Sequence, residues 1–191
     1  MPVAPENAIT VKNLIAAFEG ESNAGAKYAA FAVKADEEGF HGAASLFRAA
    51  SRAEQIHAAN HARVIRQLGG EATCTIHAAE AKDTLSNLKA ALGGETYEIE
   101  TMYPEFLAEA NAHENKIAIR TFTYALEAEK THARLYGEAI ALVQAGKLDS
   151  WVGTARDFYV CTVCGYTSEN EEEHERCPVC NLPWEKFEIV R

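Results

Sequence analysis

The sequence predicts a mainly α-helical chain: a four-helix bundle followed by a small four-cysteine metal module. Three observations predict it. Residues 1–150 are rich in Ala, poor in Pro, and repeat apolar residues at three- and four-residue steps over four long stretches. Four of the five cysteines fall in residues 157–191, as two Cys-x-x-Cys pairs. Glutamates recur on the apolar faces of all four helical stretches, where an ionised carboxylate costs several kcal/mol unless it is paired, protonated or metal-bound.

The first helix is expected from about Val11 to Glu38, with Leu14, Phe18, Tyr28 and Phe31 facing inward. The second runs from about Gly42 to Leu68 and is stopped by Gly69-Gly70. A long connection containing Cys74, a lone thiol read as structural, and His77 leads to a third helix, about Lys82 to Ala110. Gly93-Gly94 interrupts that pattern without ending it. The fourth runs from about His113 to Ala145. Four helices with one long central crossover make a bundle. Gly146 suits a helix C-terminus, and composition changes over GKLDSWVGTARD, residues 146–157. The bundle is therefore assigned to residues 1–150 and the module to 157–191, with Phe158-Tyr159-Val160 and Phe187-Glu188-Ile189-Val190 as short strands.

The 191 residues carry a formal charge of −10, and 48% are apolar. That balance argues against binding nucleic acid or an anionic membrane. No stretch approaches eighteen consecutive apolar residues, so no membrane span is expected. MPVAPENAIT shows no basic segment followed by an apolar run, so no secretory signal is read there. A cytoplasmic location is expected, where closely spaced cysteines more often bind metal or carry electrons than form disulfides.

The chemistry begins at EAEKTHARLY, residues 127–136. Glu129 projects onto the apolar stripe, seven residues from both Phe122 and Tyr136, and His132 lies one turn along the same face. RAEQIH repeats the pattern with Glu54 and His57. In the first helix Glu21 lies between Phe18 and Tyr28; in the third, Glu95 follows Leu88 and Leu92. Glu21 precedes Glu54 by 33 residues and Glu95 precedes Glu129 by 34, so each half is a helix hairpin carrying one Glu, then Glu-x-x-His. Four inward carboxylates and two imidazoles would repel one another if left empty. Two divalent cations neutralise them, in the di-iron or di-manganese carboxylate arrangement; imidazole favours iron, manganese or zinc over calcium or magnesium. Glu98, three residues after Glu95, breaks the symmetry and is either a seventh ligand or a solvent-facing charge.

CTVCGY, with Cys161 and Cys164, and CPVC, with Cys177 and Cys180, form two knuckles separated by twelve residues. Four thiolates at that spacing hold one metal tetrahedrally, either zinc or a single iron. Tyr166, Trp184 and Phe187 are placed to shield it.

FEGES, AEQIH, GGETYEIETMYP, AEKTH and CTVCGY…CPVC, in this order and over nearly the whole chain, resemble the rubrerythrin family: a ferritin-like di-iron bundle followed by a rubredoxin-like domain. The resemblance implies two non-haem irons in a carboxylate-bridged site and one iron in the four-cysteine site. It implies ligation by Glu21, Glu54, Glu95 and Glu129 with His132, and makes Glu98 and His57 alternative ligands exchanged with oxidation state. Tyr28 and Tyr103 match family tyrosines that hydrogen-bond around the site. Ile99-Glu100-Thr101-Met102 departs from relatives that place an acid just before the Met.

The resemblance further implies reduction of hydrogen peroxide to water, with electrons from a redox donor protein or reductase relayed through the four-cysteine iron. The alternative is a ferroxidase, iron-handling or dioxygen-reducing role. Sixteen helical residues separate Glu129 from Ala145, about 24 Å at about 1.5 Å per residue. The module is therefore expected to hang too far from its own bundle site for fast transfer, which calls for a head-to-tail homodimer.

Overall fold

The computed structural model describes residues 3–170 and 175–191; Met1 and Pro2 of the N-terminal tail, and residues 171–174 within the cysteine segment, lie outside it. The helices are α1 (Ala8–Glu37), α2 (His41–Gln67), α3 (Thr84–Tyr97), α4 (Tyr103–Ala112) and α5 (Lys116–Gln144). The third sequence-predicted helix is thus two helices, α3 and α4, joined without a break by a π-helical turn, Glu98–Met102. The fourth starts three residues later than expected. There the Asn115 side chain accepts from the Ala118 amide at 3.2 Å and caps α5. Before α1, a single turn at Pro5–Asn7 ties the tail to the α4–α5 corner through Asn115 Nδ2, 3.0 Å from Asn7 Oδ1.

The bundle core is two apolar clusters. One contains Tyr28, Phe31, Phe47, Leu88 and Leu135. The other contains Leu14, Ile65, Tyr103, Ala118 and Phe122. Along α1, α2, α3 and α5 the inward glutamates fall between them. The bundle is an apolar–polar–apolar sandwich, and Glu21, Glu54, Glu95 and Glu129 are fully buried in its polar layer.

The cysteine segment folds as a three-stranded antiparallel sheet in the order β2–β1–β3, from β1 (Phe158–Cys161), β2 (Thr167–Ser168) and β3 (Phe187–Val190). β2 is too short for its sequence to announce it. Phe158 and Val160, fully buried, join the bundle's first apolar cluster. On the other side Trp184 stacks on Phe187, ring centroids 4.2 Å apart.

This placement corrects the expectation that the module hangs far from its own bundle. The linker turns back at Gly146 (φ 66°) and runs over the start of α2. Phe40, at the helix N-terminus, offers no side-chain cap; the Val152 carbonyl takes that role, accepting from Gly42 N at 2.9 Å and Ala43 N at 3.1 Å. Asn60 Nδ2 donates to Val163 O at 2.8 Å, Arg52 pairs with Glu188 at 2.8 Å, and Arg134 of α5 reaches Glu169 at 3.3 Å. The module therefore lies against α2 and α5 of the same chain, and the distance argument for a head-to-tail dimer falls away.

Gly42 is where the linker passes closest. A Cβ there would meet Trp151 O at 1.7 Å and Thr154 O at 2.8 Å. Gly42→Ala should lower unfolding free energy by about 1–3 kcal/mol, the usual cost of overpacking a tight contact, measured by urea unfolding of the metal-loaded chain. An unchanged midpoint would show that this contact does not fasten the linker.

Candidate metal centre

Helical periodicity brings the candidate ligands together. Glu21, Glu54, Glu95, Glu129 and His132 are fully buried and His57 is 1% exposed. Their donor atoms form two overlapping groups: Glu21, Glu54, His57 and Glu129; and Glu54, Glu95, Glu129 and His132. Within each group the donor atoms lie within 4.8 Å of one another. The shared members are Glu54 and Glu129. One cation between Glu21 and His57, a second between Glu95 and His132, and two bridging carboxylates fit this arrangement.

The hydrogen bonding tests the fit. One buried oxygen of each of Glu21, Glu54, Glu95 and Glu129 lacks a hydrogen-bond donor, which native interiors rarely tolerate without a cation or water. Both imidazoles turn Nδ1 toward the carboxylates. His57 Nδ1 is 2.9 Å from Glu54 and 2.8 Å from Glu129, and His132 Nδ1 is 2.8 Å from Glu129. Both turn Nε2 toward the cysteine module. His57 Nε2 is 3.0 Å from Cys164 O; a carbonyl only accepts, so this nitrogen carries the proton. His132 Nε2 is 3.0 Å from Thr167 Oγ1, whose own proton goes to Gly165 O at 3.0 Å, so it donates too. With a cation bound, each Nδ1 would give up its proton and present a lone pair to it, the usual way an outer partner fixes a ligand histidine's tautomer.

Two tyrosines hydrogen-bond to the carboxylates from outside. Tyr28 donates to Glu95 at 2.8 Å and Tyr103 donates to Glu21. Sequence reading missed what lies behind Tyr103. His61, fully buried, has Nε2 3.1 Å from the Tyr103 oxygen and Nδ1 3.1 Å from Thr121 Oγ1. Because Tyr103 spends its proton on Glu21, His61 must donate from Nε2 and accept from Thr121. It is a neutral imidazole, and burial holds its pKa down at about 4. Its position one turn after His57 is visible in the sequence, but that spacing alone gives it no role.

Glu98 faces inward. It is 9% exposed, the least covered of the inward carboxylates, so the solvent-charge alternative is corrected, yet it belongs to neither ligand group. The π turn puts it there: Tyr103 N bonds to Glu98 O, five residues back. That turn adds one residue to its half of the bundle. Tyr28 follows Glu21 by seven residues, Tyr103 follows Glu95 by eight, and both still reach a carboxylate across the bundle. The spacings of 33 and 34 residues differ by this same insertion.

The four sulfurs also lie within 4.8 Å of one another, with Cys161–Cys180 at 3.4 Å and Cys164–Cys177 at 3.5 Å. That fits one tetrahedral metal at about 2.3 Å from each sulfur. Hydrogen bonds from Cys161 and Cys164 hold the Cys177 thiol well below its ordinary pKa, so a thiolate forms readily. Tyr166, Phe187 and, from α5, Tyr124 pack around the cluster; Trp184 covers it through Phe187.

The knuckles are twins. Gly165 N bonds Cys161 O at 3.0 Å and Asn181 N bonds Cys177 O at 2.9 Å, with positive φ at both Gly165 (79°) and Asn181 (63°). Asparagine serves in the second, so φ alone does not demand glycine in the first. His57 does: a Cβ on Gly165 would lie 2.3 Å from His57 Nε2.

Comparison with known proteins now bears on this geometry. Residues 12–140 match the family model described as Rubrerythrin, and residues 159–188 match Rubrerythrin, rubredoxin-like domain. The chain belongs to the rubrerythrin family. It is 37% identical over 184 residues to Rubrerythrin-2 of Clostridium acetobutylicum, covering 96% of this chain and 97% of that one. It is 37% identical over 179 residues to Nigerythrin of Nitratidesulfovibrio vulgaris, covering 93% and 85%. Solved structures of nigerythrin, one titled as a mixed-valence state and another as fully reduced and all ferrous, superpose with a TM-score of 0.83 at 35% identity over 94% of this chain and 86% of that. The two sites are thus a carboxylate–histidine di-iron site and a rubredoxin-like four-cysteine iron site, and the role is iron-based redox chemistry.

Without metal the polar layer is held together by protons. Burial and then the Glu129 charge raise Glu95 from 4.5 to about 8. Burial lowers His132, but its hydrogen bonds to the carboxylates of Glu129 and Glu95 outweigh that and raise the ring from 6.5 to about 9. Both bind protons more tightly folded than unfolded, so both contributions are complete below the unfolded pKa and lost as pH rises through the folded one. The metal-free chain should therefore melt at a lower temperature at pH 9 than at pH 6, while the iron-loaded chain should not, because metal replaces the protons. Scanning calorimetry of both forms measures this; a metal-free midpoint that rises with pH would contradict it.

Proposed function

We propose that the chain is a non-haem di-iron peroxidase that reduces hydrogen peroxide to water. The observation that carries the reading is the contact between the Cys164 carbonyl and the ring of His57. It joins the backbone of one metal site to a ligand side chain of the other by a single hydrogen bond. A storage protein has no use for such a junction.

When bound, the two bridged irons would supply the two electrons that split the O–O bond, and the four-cysteine iron would replenish them singly. The residues proposed to hold them are Glu21, Glu54, His57, Glu95, Glu129 and His132, with Glu98 as a further carboxylate that replaces His57 in one oxidation state, and Cys161, Cys164, Cys177 and Cys180. Tyr28 and Tyr103 fix the outer oxygens of Glu95 and Glu21, so those carboxylates keep their orientation as charge changes. The neutral His61 ring holds Tyr103 in its donating geometry. Docking of the module covers both imidazoles and excludes water from that side. A redox donor protein or reductase is the proposed source of electrons, and the cytoplasm the proposed location. Among the described residues, no helix is long and apolar enough to cross a membrane.

The reading is tested by stopped-flow absorption of the iron-loaded chain, reduced without oxygen and mixed with peroxide. The ferric iron–thiolate colour should return rapidly. Colour that returns with dioxygen but scarcely with peroxide would replace the peroxidase by an oxidase or ferroxidase. Gly165→Ala should slow this return about tenfold or more, as small displacements at a reacting junction do, with the colour itself intact; Asn181→Gly should not. Equal rates in both variants would remove the His57–Cys164 junction from the route.

Glu98→Ala should lower peroxide turnover several-fold at full iron loading. Unchanged turnover at full loading would make Glu98 a bystander.

A further inference from the structure

The module closes the His57 and His132 side of the polar layer, so an oxidant must arrive elsewhere. On the opposite side lies a cavity of about 370 Å³ between α1, α3, the π turn and the crossover segment. Tyr28 and Glu98 form its inner end. Glu98 is the one inward carboxylate with measurable exposure. A second hollow of about 380 Å³ on the far side of Ile76 touches Glu21, but that carboxylate is fully covered. The first cavity is therefore the open approach.

Its size and lining say more. Ala24, Ala78, Ala79 and Met102 make an apolar wall beside Tyr28 and Glu98. Hydrogen peroxide is small and polar on every side and has no use for such a wall. The volume falls within the about 300–1,000 Å³ typical of small-molecule sites. The roof is the crossover segment, clasped to α1 from both sides of one amide: Asn23 Nδ2 donates to Thr75 O at 3.0 Å and Asn23 Oδ1 accepts from His77 N at 2.9 Å. The hollow is thus a built feature with a fixed lid.

We propose that this cavity binds the hydrocarbon part of a small organic hydroperoxide, ROOH, with its peroxide group at the Glu98 and Tyr28 end, so that the chain reduces organic hydroperoxides as well as hydrogen peroxide. The inference rests on the peroxide-reducing reading of the site. The O–O bond breaks, two electrons come from the reduced di-iron site and two protons from solvent, and the products are ROH and water. The apolar wall contributes affinity for R that hydrogen peroxide cannot use.

Gly20 lines the cavity and has no atom within 4 Å of where its Cβ would lie, so Gly20→Leu fills the space without a clash and improves helix propensity. Ala79→Phe fills it from the roof. The iron-loaded, reduced chain should be reoxidised by tert-butyl hydroperoxide as well as by hydrogen peroxide. Either substitution should lower the tert-butyl hydroperoxide rate relative to the hydrogen peroxide rate about tenfold or more, as a filled apolar pocket does. A second readout is independent of turnover. In the full chain loaded with zinc at both sites, tert-butanol should shift the methyl carbon-13 resonance of Met102, and Gly20→Leu should abolish the shift. Reaction with hydrogen peroxide but not tert-butyl hydroperoxide would overturn the inference and leave the peroxidase standing. Failure with both would overturn the peroxidase reading and this inference with it. A rate ratio and a Met102 shift unmoved by Gly20→Leu would place the organic substrate elsewhere and overturn the assignment of the cavity.

Discussion

The constraint on which the structure depends is a layer of four fully buried glutamates between two apolar clusters. Each would cost several kcal/mol to bury ionised and alone. Among the described residues there are too few cationic side chains to neutralise them: two imidazoles face four carboxylates, with Glu98 a fifth nearby. Burial pushes Glu54, Glu95 and Glu98 up. Burial pushes Glu129 the same way, but the His57 charge and hydrogen bonds from both histidines bring it down. The layer thus sorts its protons unevenly and waits for cations. Two bound metals would resolve the conflict, and the same charge density that makes the metal-free bundle sensitive to pH would hold them.

The near-twofold symmetry explains which residues are shared and which are not. α1–α2 and the α3-to-α5 half each give one Glu and one Glu-x-x-His, so Glu54 and Glu129, shared by both donor groups, are equivalent. The single inserted residue at the π turn ends the equivalence. It turns Glu98 inward on one half, beside the cavity, and leaves nothing comparable on the other. His61 and Tyr136, each four residues after a ligand histidine, differ as well: His61 bonds Tyr103, while the Tyr136 ring packs edge-on against Tyr28 at 5.7 Å.

Much of this was legible in the sequence, and for a physical reason. Helices of nearly thirty residues carry a strong period, so Glu21, Glu54, Glu95, Glu129 and both histidines could be placed on faces by counting, and cysteine spacing alone defined the second site. What counting could not give was anything that depends on a path through space. The linker's return over Gly42 hides in a dozen irregular residues, so the sequence reading let the module hang from the end of α5. The π turn left one trace, 34 residues in place of 33. Gly165 simply follows the first knuckle in the sequence, and only its approach to His57 shows why Asn, accepted at 181, is excluded there.

The central claim is that both metal sites of one electron path belong to one chain. Co-expression of two defective chains tests it directly. One carries Cys161→Ser and Cys164→Ser and lacks the four-cysteine iron; the other carries Glu54→Ala and Glu129→Ala and lacks the bridged site. Purified mixed assemblies, reduced and mixed with peroxide, should show no rapid return of the ferric iron–thiolate colour, because no chain contains both sites. A fast return in the mixture would mean that electrons cross between chains, and would contradict the account.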